Sequence, residues 1–263
     1  MRTMEIKKKS GGIRKIYIPS RSEKSKLRKL LAVIPQPEDK LISAHGFRTG
    51  RSPVTNALAH MKNHVDEGIM ISCDLSNFFS HVKAERVASL LPFAWRNKII
   101  SACFVDGAAQ QGLPTSPALA NLAGIAIDEA IRSKIDEQWH GAEYTRYADD
   151  LSLSFPSVPS CGTDSVIACL EEIAEKHGQI INKMKTRIQF AKNGRWECCG
   201  VMVDRGGIHI SRRQRRELRV AEHRAKVDPT RKNRYRAGGL REWAKLKMPL
   251  TAEEKLAREQ IAA

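Results

Sequence analysis

Tyr147-Ala148-Asp149-Asp150 sits in the middle of a segment, Tyr144 to Phe155, that reads as two strands joined by a tight turn. Asp is a poor strand residue, and two adjacent carboxylates at a hairpin tip concentrate negative charge that only a metal ion or surrounding water tolerates. A matching apolar run, Ile69-Met70-Ile71-Ser72-Cys73-Asp74-Leu75, ends on a third carboxylate and is followed by Phe78-Phe79. The three can meet in space if the strand ends adjoin. Hard oxygen ligands so placed suit Mg²⁺, which keeps some waters, takes one or two carboxylates and completes its shell with substrate phosphates.

A chain of 263 residues can bury a core as one large domain or two subdomains sharing a cleft. Its formal charge of +16 favours a polyanionic partner, nucleic acid before an anionic membrane. No apolar run approaches the roughly 20 residues that span a bilayer, and the basic N-terminus lacks a signal peptide's apolar stretch, so the expected location is the cytoplasm, with no membrane partner. The cysteines, among them Cys73, Cys103 and the neighbours Cys198 and Cys199, lack the paired gaps of a zinc site and read as small buried hydrophobes.

Residues 1–20 read as a basic β-ribbon turning at Ser10-Gly11-Gly12 and closed by Pro19. Leu27, Leu30 and Leu31 predict a cationic amphipathic helix over 22–33. A loop over 45–52, a helix over 54–65, short helices over 83–91 and 95–102, a Gly- and Pro-punctuated loop over 107–117 and a long helix over 118–135 follow. After the hairpin, the pattern predicts a helix over 165–177 stopped by Gly178, then strands near 180–181, 187–190, 199–203 and 208–210. From Arg212 the chain is dense in Arg and Lys with sparse apolar residues, Leu218, Val220, Leu240, Trp243 and Leu246, and reads as a small helical subdomain whose charged face meets a phosphate backbone or is simply solvated.

The ordered set resembles a reverse transcriptase. The Asp149 tetrapeptide, Asp74 with Phe78-Phe79, Gln111-Gly112-Leu113-Pro114-Thr115-Ser116-Pro117, Gly178 through Asn182, and Lys185-Thr186 fit that family's signatures in the family's order. One tetrapeptide is weak evidence; the series is strong. Within the family the chain looks most like the bacterial retron type, through Asn56-Ala57-Leu58-Ala59-His60 and the stretch 144–154. It departs at Cys198-Cys199-Gly200, where retron enzymes usually carry Val-Thr-Gly, and in a basic ribbon that begins close to Met1.

The resemblance implies an RNA-directed DNA polymerase working with two Mg²⁺ ions, for which Mn²⁺ is a substitute, held by Asp74, Asp149 and Asp150. Lys185 matches the lysine that protonates the leaving pyrophosphate, against the plainer reading of a surface lysine. Phe79 matches the gate that collides with a ribose 2′-hydroxyl, while Phe78 faces the core. Backbone N–H groups from Leu75 to Phe79 face the triphosphate of the incoming deoxynucleotide. Arg14 resembles the arginine that grips it, with Lys15 and Arg21 as rivals, and Gln111 contacts the nucleotide or template base. Asn56 and His60, one helical turn apart, touch RNA or brace the palm; Arg212, Arg213, Arg215 and Arg216 are expected on the RNA.

The implied fold is an α+β right-hand polymerase: fingers about 1–66 and 84–118, a palm of antiparallel sheet backed by helices about 67–83 and 119–210, and a small basic helical thumb over 211–263. By resemblance the enzyme copies a dedicated structured non-coding RNA, primed from an RNA 2′-hydroxyl, into branched msDNA for antiviral (anti-phage) defence. No nuclease, ribonuclease H or toxin domain is recognisable, so the effector is expected to be a separate protein. The alternatives are a mobile-intron-like or other defence-associated reverse transcriptase with another priming mode, and a non-catalytic RNA-binding scaffold.

Overall fold

A computed structural model of the protein describes residues 1–7 and 11–245. In chain order its elements are β1 (Arg2–Lys7), β2 (Ile13–Ile18), α1 (Arg21–Leu31), α2 (Pro53–Ala59), β3 (Ile69–Asp74), α3 (Phe78–His81), α4 (Ala84–Val87), α5 (Arg96–Cys103), α6 (Ser116–Glu137), β4 (Glu143–Tyr147), β5 (Asp150–Phe155), α7 (Thr163–Lys176), β6 (Arg187–Phe190), β7 (Trp196–Cys198), β8 (Val201–Asp204), β9 (Gly207–His209), α8 (Arg212–Val227) and α9 (Arg231–Ala244).

Four antiparallel strands form the central sheet in the order β4-β5-β3-β6. Side-chain alternation assigns its two faces. Ile69, Ile71 and Cys73 of β3 lie opposite Phe155, Leu153 and Leu151 of β5, and all six join the main core with α6 and α7. Met70, Ser72 and Asp74 point the other way, opposite Ser154, Ser152 and Asp150. There Met70 packs in a second cluster with Ala57 of α2 and with Trp196, Val201 and Val203 of the three-stranded sheet β7-β8-β9. β3 is thus covered on both faces, which is why its sequence is nearly continuous apolar. A one-residue slip of β3 would turn Asp74 into the apolar core beneath the helices, so the packing fixes where the carboxylate emerges.

The amino-terminal ribbon, α1, the long α6, the Asp149 hairpin and the α7 stop at Gly178 follow the sequence expectation. Three elements differ. The helix expected over 54–65 ends at Ala59 and continues as a 3-10 turn, Met61–Asn63, because His60 and Asn63 are drawn into hydrogen bonds with β4 and β5. The strand expected over 199–203 is a hairpin instead, with Cys199 (φ 48°) and Gly200 (φ 78°) as its two turn residues between β7 and β8. Positive φ at both positions is the geometry of a type I′ turn, which matches strand twist. The strand near 180–181 shrinks to a single bridge from Ile181 to Leu75.

Helices α8 and α9 pack on each other through Ala221 and Ala237, tied by Arg241 to Glu222 at 2.9 Å. Trp243 of α9 anchors them to the second cluster. Ser10 of the expected ribbon turn, and Leu246 with the rest of the expected helical subdomain after residue 245, lie outside the described residues. Among the described residues no helix is long and apolar enough to cross a membrane.

Candidate active site

Asp74 and Asp150 are cross-strand partners at the ends of β3 and β5. Asp149 occupies the two-residue turn between Tyr147 and Asp150, after Ala148 at φ 56°. A non-glycine residue there costs about 1–2 kcal/mol, and neighbouring backbone holds it in place. Leu75 N–H donates to Asp149 O at 2.8 Å, Ser76 N–H to Ile180 O at 2.7 Å, and Asn182 N–H to Asp74 O at 2.7 Å. These bonds lash the two acidic strand ends and the 180–186 segment together. They also correct one expectation: the buried Leu75 amide is spent inside the protein, so it cannot grip a triphosphate.

The 3-10 turn Lys183–Lys185 brings Lys185 Nζ to 2.8 Å from Asp74 Oδ1. Ser72, Asp74, Asp150, Met184, Lys185 and Arg187 line a cavity of about 420 Å³. Burial, then the charge of Asp74, raises the Asp149 carboxyl, while Lys185 and Arg14 pull it back. Burial, then Asp149 and Asp74, pushes Asp150 up to about 6, opposed by Lys185 and Arg187. Mutual repulsion among partly buried carboxylates marks a site short of positive charge, and a hard-oxygen set of this kind fits a divalent cation. Among the described residues no three His, Cys, Asp or Glu side chains stand ready-arranged around one ion, and Lys185 holds one oxygen of Asp74.

The cations flank the acids on two sides. Arg14, exposed on β2, is the ribbon cation whose field reaches Asp149, whereas Lys15 lies over the Tyr17 ring at 5.1 Å. The ribbon is docked by Tyr17 N–H donating to Gln111 O at 2.8 Å, which joins Arg14 and Gln111 to one structural unit. Phe78 is buried, and Phe79 is half-buried between it (centroids 5.4 Å) and the exposed Phe47 (6.1 Å). Arg187, near Asp150, and Phe47 were not anticipated; Arg187 had a cue in its position two residues after Lys185, Phe47 none.

Asn56 and His60 are both 0 % exposed and offer no atom to a bound RNA, which corrects the expected RNA contact. They brace the palm, the other reading of the pair. His60 Nδ1 meets Ser154 Oγ at 2.9 Å and Nε2 meets Thr145 Oγ1 at 2.7 Å. Asn56 Nδ2 donates to Cys198 Sγ at 3.0 Å and Cys199 Sγ at 3.4 Å, so the cysteines bind the helix to the β7-β8 turn. The Cys199 thiol lies 3.9 Å from Asp150 Oδ2, and its hydrogen bond to Cys198, with burial, keeps it protonated.

On the opposite face of β4, Arg146 forms a fully buried bidentate pair with Asp128 of α6, 2.8 Å at both contacts, and Tyr144 Oη donates to the same carboxylate at 2.8 Å. A Cβ on Gly124 would fall 2.4 Å from Arg146 Cζ, so the helix accepts the guanidinium only with glycine there. Arg146 N–H donates to Ser43 O and its carbonyl accepts from His45 N–H, each at 2.7 Å, which lays Gly46 against the Ala148-Asp149 turn. His45 and Gly46 read in the sequence as the start of a loop, and a single arginine between Thr145 and Tyr147 gives no sign of this network.

Arg212, Arg213, Arg215 and Arg216 are exposed in the first turns of α8, whose Ser211–Gln214 capping box also sends Gln214 Nε2 to Gly200 O at 2.8 Å. Four arginines at the positive end of a helix dipole oppose its stability. That placement makes sense against a polyanion.

A helix-backed antiparallel sheet that gathers acids at its strand ends, with a basic ribbon to one side and basic helices to the other, is the palm of a right-hand polymerase. The reverse transcriptase (RNA-dependent DNA polymerase) family matches residues 6–201, and the chain belongs to that family. Within it the chain is similar to retron reverse transcriptases: Mx65 of Myxococcus xanthus, 29% identical over 98% of this chain and 64% of the relative; Ec86 of Escherichia coli, 30% over 84% and 68%; and Mx162 of Myxococcus xanthus, 28% over 84% and 52%. The chain therefore spans about half to two thirds of the length of these relatives. The fold also matches telomerase from Candida albicans in complex with a telomeric RNA fragment, with TM-score 0.59, 12% identity, and 80% of this chain and 45% of that chain covered. Apo telomerase from Candida Tropicalis, truncated from its C-terminal domain, matches with TM-score 0.54, 12% identity and coverage of 80% and 54%.

Proposed function

We propose that this chain is the catalytic part of a retron-type RNA-directed DNA polymerase in the cytoplasm, copying a structured non-coding RNA that also supplies the priming 2′-hydroxyl, so that the product is branched msDNA. The observation that carries the reading is the convergence of Asp74, Asp149 and Asp150 at one sheet edge between Arg14 and Arg187. Similarity to the retron enzymes supports the reverse transcriptase and its RNA template; self-priming, and anti-phage defence with a separate effector protein, are part of the proposal.

In this reading fingers, palm and thumb fall about 1–66 with 84–118, 67–83 with 119–210, and 211–263. Asp74, Asp149 and Asp150 are the residues that would hold two Mg²⁺ ions, and those ions would supply activation of the primer hydroxyl and neutralisation of the triphosphate. Arg14 grips the triphosphate through its planar fork, and Gln111 contacts nucleotide or template. Phe79, wedged between Phe78 and Phe47, closes the space a ribose 2′-hydroxyl needs. Lys185, held at 2.8 Å from Asp74 Oδ1, would donate a proton to the departing pyrophosphate. Arg187 meets primer phosphate on the Asp150 side. The α8 arginines hold RNA by its backbone, with the steep salt dependence such contacts give.

The test is incorporation of labelled deoxynucleotide by the purified protein with the RNA that copurifies from its host. Synthesis is expected, lost when Asp149→Asn and Asp150→Asn are combined, with a 2′,5′ branch in the product. Equal signal from wild type and the double variant would remove the polymerase; a linear product would remove the self-priming.

A further inference from the structure

From Arg86 through Val105 the fingers carry no Asp or Glu, and this stretch turns large apolar side chains outward. Phe93 is 87% exposed, and Leu90 and Trp95 are exposed with it. Large exposed rings in a row mark a contact surface. The surface is firmly built. Phe93–Trp95 form a 3-10 turn that runs directly into α5, whose other side buries Ile99 and Cys103 in the main core.

Each ring carries a cation three residues further on. The Arg96 guanidinium carbon lies 5.7 Å from the Phe93 centroid, and Lys98 Nζ lies 5.0 Å from that of Trp95. Arg96 also donates to Leu91 O at 3.5 Å, which fixes it beside its ring. α5 packs against α1, which adds exposed Lys24, Lys26, Arg28 and Lys29 to the same subdomain. Aromatic faces paired with cations, in a stretch with no acid from Arg86 to Val105, match the chemistry of an unstacked base followed by a phosphate. A duplex hides its base faces, so the ligand that uses the rings is single-stranded.

We propose that the Phe93–Lys98 turn is a second RNA site, outside the catalytic cleft, where two unpaired bases stack on Phe93 and Trp95 while Arg96 and Lys98 meet the adjoining phosphates. It rests on the reading of the chain as an RNA-copying enzyme and extends that reading to unpaired parts of the RNA away from the primer end. Stacking is tolerant of base identity, so the site holds single strands without reading their sequence.

The experiment compares the full chain with its Phe93→Ala/Trp95→Ala variant for binding of a labelled unpaired oligouridine and of a short RNA duplex, over a range of salt. Affinity for the unpaired strand is expected to fall about tenfold while duplex affinity stays within twofold. Phe93→Trp, which keeps a ring, should retain binding, and Lys98→Gln should flatten the plot of log affinity against log salt by about 0.7. Unpaired-strand affinity within twofold of wild type, at an unchanged melting temperature, overturns the proposal. So does a double variant that loses self-association yet keeps its RNA affinity, since the turn would then be a contact between copies. Deoxynucleotide incorporation on a preformed short template–primer is measured in parallel: its absence in wild type refutes the polymerase reading alone, and its persistence in the double variant keeps the two questions separate.

Discussion

Lys185 Nζ and Asp74 Oδ1 lie 2.8 Å apart, across two segments whose backbones are joined by the Asn182 N–H to Asp74 carbonyl bond. In the proposed reading the lysine has two partners, the Asp74 carboxylate and a departing phosphate, and it can serve one only by leaving the other.

Replacing Lys185 by Ala separates these roles. Single-turnover incorporation is expected to fall about 10²-fold, the usual scale of a lost general acid. At the same time the freed Asp74 should lower the Mg²⁺ concentration needed for half-maximal rate. A titration of rate against Mg²⁺ measures both. Loss of rate that extra Mg²⁺ fully restores would assign the lysine to charge balance alone.

Gly46 and Ala148 offer a second handle on the carboxylates. A Cβ at Gly46 would sit 2.4 Å from Ala148 N, against backbone that cannot swing aside. Gly46→Ala should cost about 1–3 kcal/mol of stability through overpacking. Its effect on rate should be larger, about 10²-fold, because the displaced turn carries Asp149. Ala148→Gly relieves the strain of φ 56° but adds freedom to the unfolded chain, and these terms, each about 1 kcal/mol, nearly cancel. Urea unfolding of the two variants beside their incorporation rates tests the pair.

The carboxylates and the sheet were legible in the sequence because both follow from short-range pattern. Ile69 to Asp74 alternates between helix face and cleft face, and the Asp149 tetrapeptide marks its own turn. The brace behind them was not. Asn56 and His60 look like polar residues on a short helix, and nothing local reveals that their partners, Cys198 and Cys199 in one case and Thr145 and Ser154 in the other, arrive from distant strands. Leu75 was misread for a related reason, since its amide is claimed by a carbonyl 74 residues away in the chain, that of Asp149. The Cys199-Gly200 turn was missed because Cys is an unusual residue at positive φ, where Asn or Gly normally announces a hairpin.

The Arg146–Asp128 pair should behave as a buried charge pair does. Arg146→Met leaves the Asp128 carboxylate enclosed and unpaired, at a cost of about 3–5 kcal/mol. Replacing Asp128 by Leu as well removes that charge but strands the Tyr144 hydroxyl, worth about 1–3 kcal/mol. The triple variant with Tyr144→Phe removes that orphan, leaving Asn121 Oδ1 without its Arg146 donor, and should be the most stable of the three. Urea midpoints in that order establish that the network sets position, not stability, and the triple variant's rate then reports how much the catalytic turn depends on it.

His60 makes stability depend on acidity. Burial, with the charges of His45 and Lys62, lowers its pKa to about 3, against about 6.5 in an unfolded chain. Between those values the unfolded state binds a proton that the folded state refuses, so stability is intact above about pH 6.5 and is lost as pH falls toward 3. At pH 5 this one residue removes about 2 kcal/mol relative to neutral pH. His45, lowered to about 4 by burial and by Arg51, acts in the same direction. Urea unfolding at pH 7 and pH 5 should show the loss, and His60→Gln, which has no proton to gain, should start less stable at pH 7 yet lose about 2 kcal/mol less on acidification. An identical pH dependence in wild type and variant would mean that His60 is charged inside the palm, contrary to its two hydroxyl partners and its complete burial.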